Sequence, residues 1–156
     1  MDALIDLLLE WIGQNSTYQT SDMLHPVVTL LTPRDLTREY YSGAAHLLPS
    51  DGIDERLNAL YAPGDGAHGT IYIIDPRYLP DAAEFGDPSE NPLFREILLH
   101  ELVHHAQEQS GASKQWPCLA MGEAEAYRLG GIYLATQQAQ DPLPNRAFWG
   151  AVYSRC

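Results

Sequence analysis

The sequence predicts an α+β domain, in which two central helices and an N-terminal helix pack on a small β-sheet. Three segments carry this prediction: an apolar helical stretch that starts near residue 92, a second helical stretch at 120–134, and a strand at 70–75. A chain of 156 residues is long enough for one domain with a substantial core and short for two. We therefore expect residues 1–156 to form a single domain.

The first twelve residues predict an amphipathic helix. Apolar side chains recur on one side of it, at Leu4, Ile5, Leu8, Leu9 and Ile12. Acidic residues occupy the opposite side, and no basic start precedes the apolar run, so the segment is not a signal peptide as it stands. It is also too short and too charged to span a membrane. We expect this helix to pack against the core.

Two strands and a short helix are expected before the central helices. Residues 26–32 are typical of a strand, and the Thr32–Pro33 pair that follows resembles a helix start leading into residues 36–41. A loop rich in turn residues occupies 64–69. It leads into residues 70–75, whose β-branched and aromatic content makes them the strongest strand candidate in the chain. A polar connection then runs to residue 91.

The next segment predicts a helix with clear boundaries. Asn91 is a suitable N-cap, Pro92 fits the first helical position, and Gly111 is a plausible stop. An apolar stripe within it is formed by Leu93, Ile97, Leu98, Leu102 and Val103. The same helix contains the pattern His-Glu-x-x-His at residues 100–104.

This pattern is a zinc-site motif of metallohydrolases. Residues four apart lie on the same face of a helix, so His100 and His104 can offer ring nitrogens to one ion. Glu101 follows the first ligand and can act on a metal-bound water. The neighbouring His105 must point elsewhere, and we expect it beside the site or on the surface rather than on the metal.

A third protein ligand is needed, because zinc hydrolases usually present three and leave a position for water. A third histidine six residues after the second is excluded, since Ser110 stands there. A carboxylate from the next helix is the other arrangement, and Glu123 and Glu125 are both available. They lie about 200° apart around a helix, so only one can face the metal. Periodicity alone does not choose between them.

The sequence H-E-L-V-H-H-A-Q followed by E-A-E-A-Y resembles the gluzincin metallopeptidases, in particular their small, minimal-domain members. The resemblance covers roughly residues 68–135 and implies a minimal zincin-like fold that binds Zn²⁺. It favours Glu123 as the third ligand, because the first Glu of an E-x-x-A-(D/N/Y) frame binds zinc in several such families. Tyr127 stands where many relatives have Asp, so the surroundings of the zinc-bound histidine must differ. The chain is also similar to an uncharacterised bacterial metallopeptidase family described as a domain of unknown function.

The resemblance implies a zinc-dependent peptide-bond hydrolase. Glu101 would be the catalytic base, while His100, His104 and Glu123 would bind the metal. The donor that stabilises the oxyanion stays open among Tyr127, Tyr133, His105 and His68. The alternative function is a catalytically silent zinc-binding or protein-interaction module with the same fold.

Relatives also imply a role for the strand at residues 70–74. Such a strand commonly forms a sheet edge over the cleft, where an extended substrate can pair with it through main-chain hydrogen bonds. We therefore hypothesise that residues 70–74 are the substrate-binding edge. The alternative is an ordinary core strand.

Charge and cysteine content bear on partners and location. Nine basic and 21 acidic residues give a formal net charge of −12, which argues against binding to nucleic acids or anionic membranes. A peptide or protein substrate is the expected partner. Two cysteines do not specify a compartment. If the protein is exported, Cys118 and Cys156 can form a disulfide and the chain would be a mature form without its signal peptide; in a reducing cytosol both would be free.

Overall fold

Five α-helices and three β-strands are present in the computed structural model, which describes residues 1–156. In chain order these are α1 (Asp2–Asn15), β1 (Val27–Leu31), α2 (Pro33–Tyr40), β2 (Ala59–Ala62), β3 (Thr70–Ile74), α3 (Pro92–Gln109), α4 (Glu123–Thr136) and α5 (Arg146–Tyr153). The predicted α+β fold class is confirmed. No helix combines the length and the apolar content that crossing a bilayer requires.

The sheet has the strand order β1-β3-β2, with β1 parallel and β2 antiparallel to β3. The hypothesis that residues 70–74 form a sheet edge is therefore wrong, because β3 is paired on both sides. Its burial explains this position: Ile71 and Ile73 on one face and Thr70 and Ile74 on the other are all buried. A strand covered on both faces belongs at the centre of the sheet, and β2 is an edge instead.

The core is a cluster of 19 buried hydrophobic residues contributed mainly by α1, β3, α3 and α4. As expected, α1 buries one side of its surface there, at Ile5, Leu8, Leu9 and Ile12. The helix α3 begins where the sequence predicts: the side chain of Asn91 accepts a hydrogen bond from the Leu93 N–H, and Pro92 occupies the first turn. It ends just before Gly111, whose φ of 78° is left-handed.

The helices α4 and α5 complete the domain beside α3. α4 packs along α3, and α5 packs against α4. A disulfide joins Cys118, in the connection before α4, to Cys156 at the end of the chain, with Cα atoms 5.8 Å apart. Between α3 and α4 the chain makes two short 3₁₀ turns, at Ser113–Gln115 and Leu119–Gly122. This connection turns the chain back, so that the first residue of α4 faces α3.

Candidate metal centre

Three side chains from α3 and α4 converge on one point. Nε2 of His100 lies 3.2 Å from a carboxylate oxygen of Glu123 and 3.3 Å from Nε2 of His104, and Nε2 of His104 lies 3.5 Å from the other Glu123 oxygen. The side chains of the two histidines are 16% exposed and that of Glu123 is 28% exposed, so the cluster is accessible from outside. These three residues can hold a metal ion.

Glu125, the other carboxylate considered from the sequence, faces a different part of the protein. It accepts a hydrogen bond from the hydroxyl of Tyr18 at 2.5 Å, and Arg128 lies 3.7 Å from its other oxygen. The structure thus brings Glu123 to the histidines and keeps Glu125 away from them. The helical geometry that made the two glutamates mutually exclusive accounts for this outcome.

Electrostatics keep the Glu123 side chain ionised. Burial alone would raise the pKa of Glu123, but hydrogen bonds from His100 and His104 outweigh burial and lower this pKa to about 2. Burial alone would lower the pKa of His104, but the bond to Glu123 and the charge of Glu101 raise it to about 9. The cluster therefore presents a carboxylate at neutral pH, which is the form that binds metals.

Gln107 links the second histidine to the start of α4. Its Oε1 accepts a hydrogen bond from Nδ1 of His104 at 2.9 Å, and its Nε2 donates to the carbonyl of Gly122 at 3.1 Å. Because Oε1 can only accept, Nδ1 of His104 carries a proton in this bond. When His104 is neutral, as a metal ligand must be, the lone pair of Nε2 therefore faces the cluster. A Cβ at Gly122 would overlap the Gln107 amide, so only glycine permits this approach. Gly122 directly precedes Glu123, so one side chain orients both ends of the cluster.

Glu101 lies beside the candidate metal ligands, and its side chain lines the cavity next to them. The residue is 8% exposed, and it makes no hydrogen bond to another protein side chain. Burial raises the pKa of Glu101, although the nearby His100 and His104 oppose this effect. A carboxyl group with a raised pKa, open to a cavity, can exchange protons with a group bound there.

The cavity has a volume of about 350 Å³ and lies between the edge strand β2 and the connection from α3 to α4. Its floor includes Glu101, His104 and Glu123. The remaining lining residues are Tyr40, Ala59, Leu60, Tyr61, Pro63, Gln107, Glu108, Ser113, Trp116, Leu119 and Ala120. The edge strand next to the candidate site is therefore β2, the strand that sequence reasoning did not find.

The four candidate oxyanion donors lie in different places. The ring of Tyr127 lies edge-on against His100, with centroids 5.0 Å apart, and so borders the cluster. Tyr133 is 1% exposed and packs against Trp11 in the core. The loop residue His68 is only half-buried and lies near the hydroxyl of Tyr61, which is 3.5 Å from its carbonyl oxygen.

His105 is fully buried, which excludes the surface location that was one of the two expectations for it. Its Nε2 donates to the carbonyl of Leu24 at 2.8 Å, which leaves Nδ1 to accept the hydroxyl of Tyr61 at 3.2 Å. Since Tyr61 belongs to β2, His105 fixes the edge strand to α3. Burial lowers the pKa of His105, in agreement with a neutral ring that accepts this bond.

The chain belongs to the family described as Domain of unknown function (DUF6647), whose model matches residues 1–154. No curated protein and no solved structure matches the chain. The expected similarity to a domain of unknown function is confirmed at this level. The finer resemblance to gluzincin metallopeptidases stays a prediction.

Proposed function

We propose that this protein is a zinc-dependent hydrolase of peptide bonds. The observation that carries the proposal is the convergence of His100, His104 and Glu123 beside Glu101, at the floor of an open cavity. Two imidazoles and a carboxylate form a donor set found in catalytic zinc sites, where three protein ligands leave one position for water or substrate.

The spacing of the ligand atoms supports zinc. Four ligands arranged tetrahedrally at Zn–N distances of about 2.0–2.1 Å are about 3.3–3.4 Å apart. The separations from Nε2 of His100, 3.2 Å to one Glu123 oxygen and 3.3 Å to Nε2 of His104, lie close to this value, and Nε2 of His104 lies 3.5 Å from the other oxygen of the same carboxylate. The tautomer of His104 that Gln107 selects also turns an unprotonated nitrogen toward the ion.

Glu101 supplies the acid–base chemistry in this proposal. A zinc ion at the cluster would acidify a coordinated water and polarise the scissile carbonyl. Glu101 accepts the proton of the attacking water and delivers it to the leaving amine. Its buried position suits both steps, because burial raises the pKa of this carboxyl group and so favours its protonated form.

Tyr127 is the best-placed of the four donors for the developing negative charge. Its ring lies against His100, and burial together with the charge of Glu123 raises its pKa to about 12. The hydroxyl therefore keeps its proton at neutral pH and can donate a hydrogen bond to an oxyanion.

The edge strand β2 is the proposed main-chain contact for the substrate. It borders the cavity and is paired on one side only, with β3. An extended peptide can add to such an edge by backbone hydrogen bonds. We therefore propose that the substrate-binding edge is Ala59–Ala62 and not residues 70–74.

The test is hydrolysis of a broad peptide library by the purified protein in three states: zinc-loaded, stripped with a chelator, and reloaded. The expected result is cleavage in the loaded and reloaded states, detected as new termini by mass spectrometry, and none in the stripped state. If the protein binds one zinc ion and leaves the whole library intact, the proposal fails in favour of a silent zinc-binding or interaction module.

The disulfide supports an oxidising compartment, because such bonds form and persist in exported proteins and are rare in the cytosol. Trapping free thiols with an alkylating reagent at the moment of cell lysis tests this. We expect Cys118 and Cys156 to be recovered unalkylated; alkylation of both would place the protein in a reducing compartment.

A further inference from the structure

We propose that the cavity beside the metal cluster selects peptides that carry a bulky apolar side chain, aliphatic or aromatic, next to the scissile bond. The inference rests on the proposed function and names its substrate class. It is carried by the composition of the cavity walls, by the way they are held, and by their position relative to Glu101 and β2.

Apolar and aromatic side chains form much of the cavity lining away from the cluster. Seven of its 14 lining residues are hydrophobic. Leu60 and Tyr40 lie on the side of β2 and α2, while Trp116 and Leu119 lie on the connection between α3 and α4. Ligand pockets in proteins measure about 300–1,000 Å³, so a cavity of about 350 Å³ suits one or two large side chains and no more.

The wall formed by the connection is fixed in place before any substrate binds. Ser113 donates a hydrogen bond to Glu108 of α3 at 2.5 Å, and Gln107 of α3 holds the carbonyl of Gly122. Between these two links, the disulfide ties Cys118 to the end of the chain. Because these three attachments lie within ten residues, the wall is preformed. Binding of a peptide therefore loses little conformational entropy in the protein.

The position of the cavity indicates a peptide as its occupant. It is bounded at once by Glu101, by His104 and by the edge strand β2. A peptide extended along that edge turns alternate side chains to the same side, so one of them enters the cavity while its backbone reaches the cluster. The carboxylate of Glu108 in the lining disfavours an acidic side chain at that position.

Binding is tested first, independently of hydrolysis. The zinc-loaded Glu101→Gln variant, with Trp11→Phe and Trp149→Phe added, leaves Trp116 as the only tryptophan. Its fluorescence reports the binding of capped heptapeptides of glycine and alanine that carry Leu, Phe, Ala or Asp at the central position. We expect the Leu and Phe peptides to bind about tenfold more tightly than the Ala peptide, from burial of one large apolar side chain, and Asp to bind most weakly. Equal affinities would overturn the proposal.

Changing the walls tests the location of the pocket. In the same background, Ala120→Phe narrows the cavity and should reverse the preference, so that the Ala peptide binds best. Leu119→Ala should weaken the preference for Leu, whereas Leu7→Ala, at a similarly exposed leucine of α1, should not. Zinc stoichiometry and thermal unfolding confirm that each variant is folded. An unchanged Leu-to-Ala affinity ratio in folded Ala120→Phe would overturn the proposal.

Hydrolysis by the wild-type protein separates this inference from the proposed function. Cleavage of the library with no enrichment of bulky apolar residues beside the cut would overturn the inference and leave the hydrolase intact. Selective binding of the Leu and Phe peptides without any cleavage by the wild type would instead contradict the hydrolase.

Discussion

Nδ1 of His104 donates a hydrogen bond to Oε1 of Gln107 across 2.9 Å, one turn along the same helix. The amide nitrogen of Gln107 donates a second hydrogen bond, to the carbonyl of Gly122. The residue is 1% exposed, so neither bond competes with bulk water. One buried side chain thereby holds both His104, a candidate metal ligand, and Gly122, the residue before the candidate ligand Glu123.

Loss of this side chain should weaken metal binding. Gln107→Leu removes the acceptor that fixes the His104 tautomer, and partners of this kind typically contribute 10–100-fold, so we expect zinc affinity to fall by about that factor. Competition with a chelating dye measures it. Gln109→Leu, at an exposed position of the same helix, is the matched control and should bind zinc as the wild type does. Gln107→Glu retains an acceptor and should recover part of the affinity. Equal affinity of Gln107→Leu and wild type would refute the orienting role.

The two glutamates of α4 should behave differently. Glu123→Gln removes the carboxylate at the cluster, and we expect one-to-one zinc binding to be lost. Glu125→Gln should keep it, because that side chain contacts Tyr18 and Arg128 instead. Metal content by mass spectrometry after gel filtration distinguishes the two variants. Zinc retained by Glu123→Gln but lost by Glu125→Gln would reverse the assignment.

Removing one partner of the ion pair between Glu96 and Arg146 should be strongly destabilising. The two side chains are 7% and 10% exposed and meet at 2.7 Å, which ties α5 to α3. Arg146→Ala leaves a buried carboxylate unpaired, and we expect the free energy of unfolding to fall by about 3–5 kcal/mol. Chemical denaturation measures this.

Two controls accompany the Arg146 variant. Arg38→Ala breaks a pair whose arginine is 71% exposed, and it should cost less than about 1 kcal/mol. Glu96→Leu combined with Arg146→Met removes both charges and should recover most of the loss. If Arg146→Ala costs no more than Arg38→Ala, the buried pair does not hold α5.

Removing the disulfide should lower stability without disrupting the candidate metal site. Cys118 and Cys156 are 38 positions apart, and the chain entropy released by opening such a loop corresponds to about 4 kcal/mol. We expect the Cys118→Ser, Cys156→Ser double variant to lose roughly that much in urea unfolding. It should still bind one zinc ion, because Gln107 continues to hold Gly122 beside Glu123. If the double variant is fully folded and yet binds no zinc, the disulfide is needed to position Glu123.

The parts of the fold that local signals encode could be predicted. The cap at Asn91 with Pro92 after it, and the apolar periodicity of α1, are properties of adjacent residues. The strand β2 carries no such signal: it has four residues, two of them alanines, all partly buried, so neither propensity nor alternation marks it. The helix α5 has only eight residues, and it is stabilised by contacts with the distant Glu96 and Cys118.

In the candidate site, too, some features follow from local sequence and others depend on distant contacts. His100, Glu101 and His104 share one helix, so their spacing alone brings them together. The choice of Glu123 over Glu125 depends on how α4 is rotated against α3, which Tyr18 and Gln107 help to set from elsewhere in the chain. Gln107 lies one turn from His104 on the same face of α3, so it was within reach of sequence reasoning, but nothing in the His-Glu-x-x-His pattern marks it as the partner of Nδ1.

The most direct test of the hydrolase proposal compares wild type with Glu101→Gln, both loaded with one zinc ion, on the same peptide library. Glu101 is not one of the three clustered candidate ligands and caps no helix, so the variant should fold and bind zinc normally. Because general acid–base catalysis typically contributes about 10²–10⁴-fold, we expect cleavage to slow by at least 100-fold. Equal cleavage rates, or two equally inert proteins, would contradict zinc-dependent hydrolysis driven by Glu101.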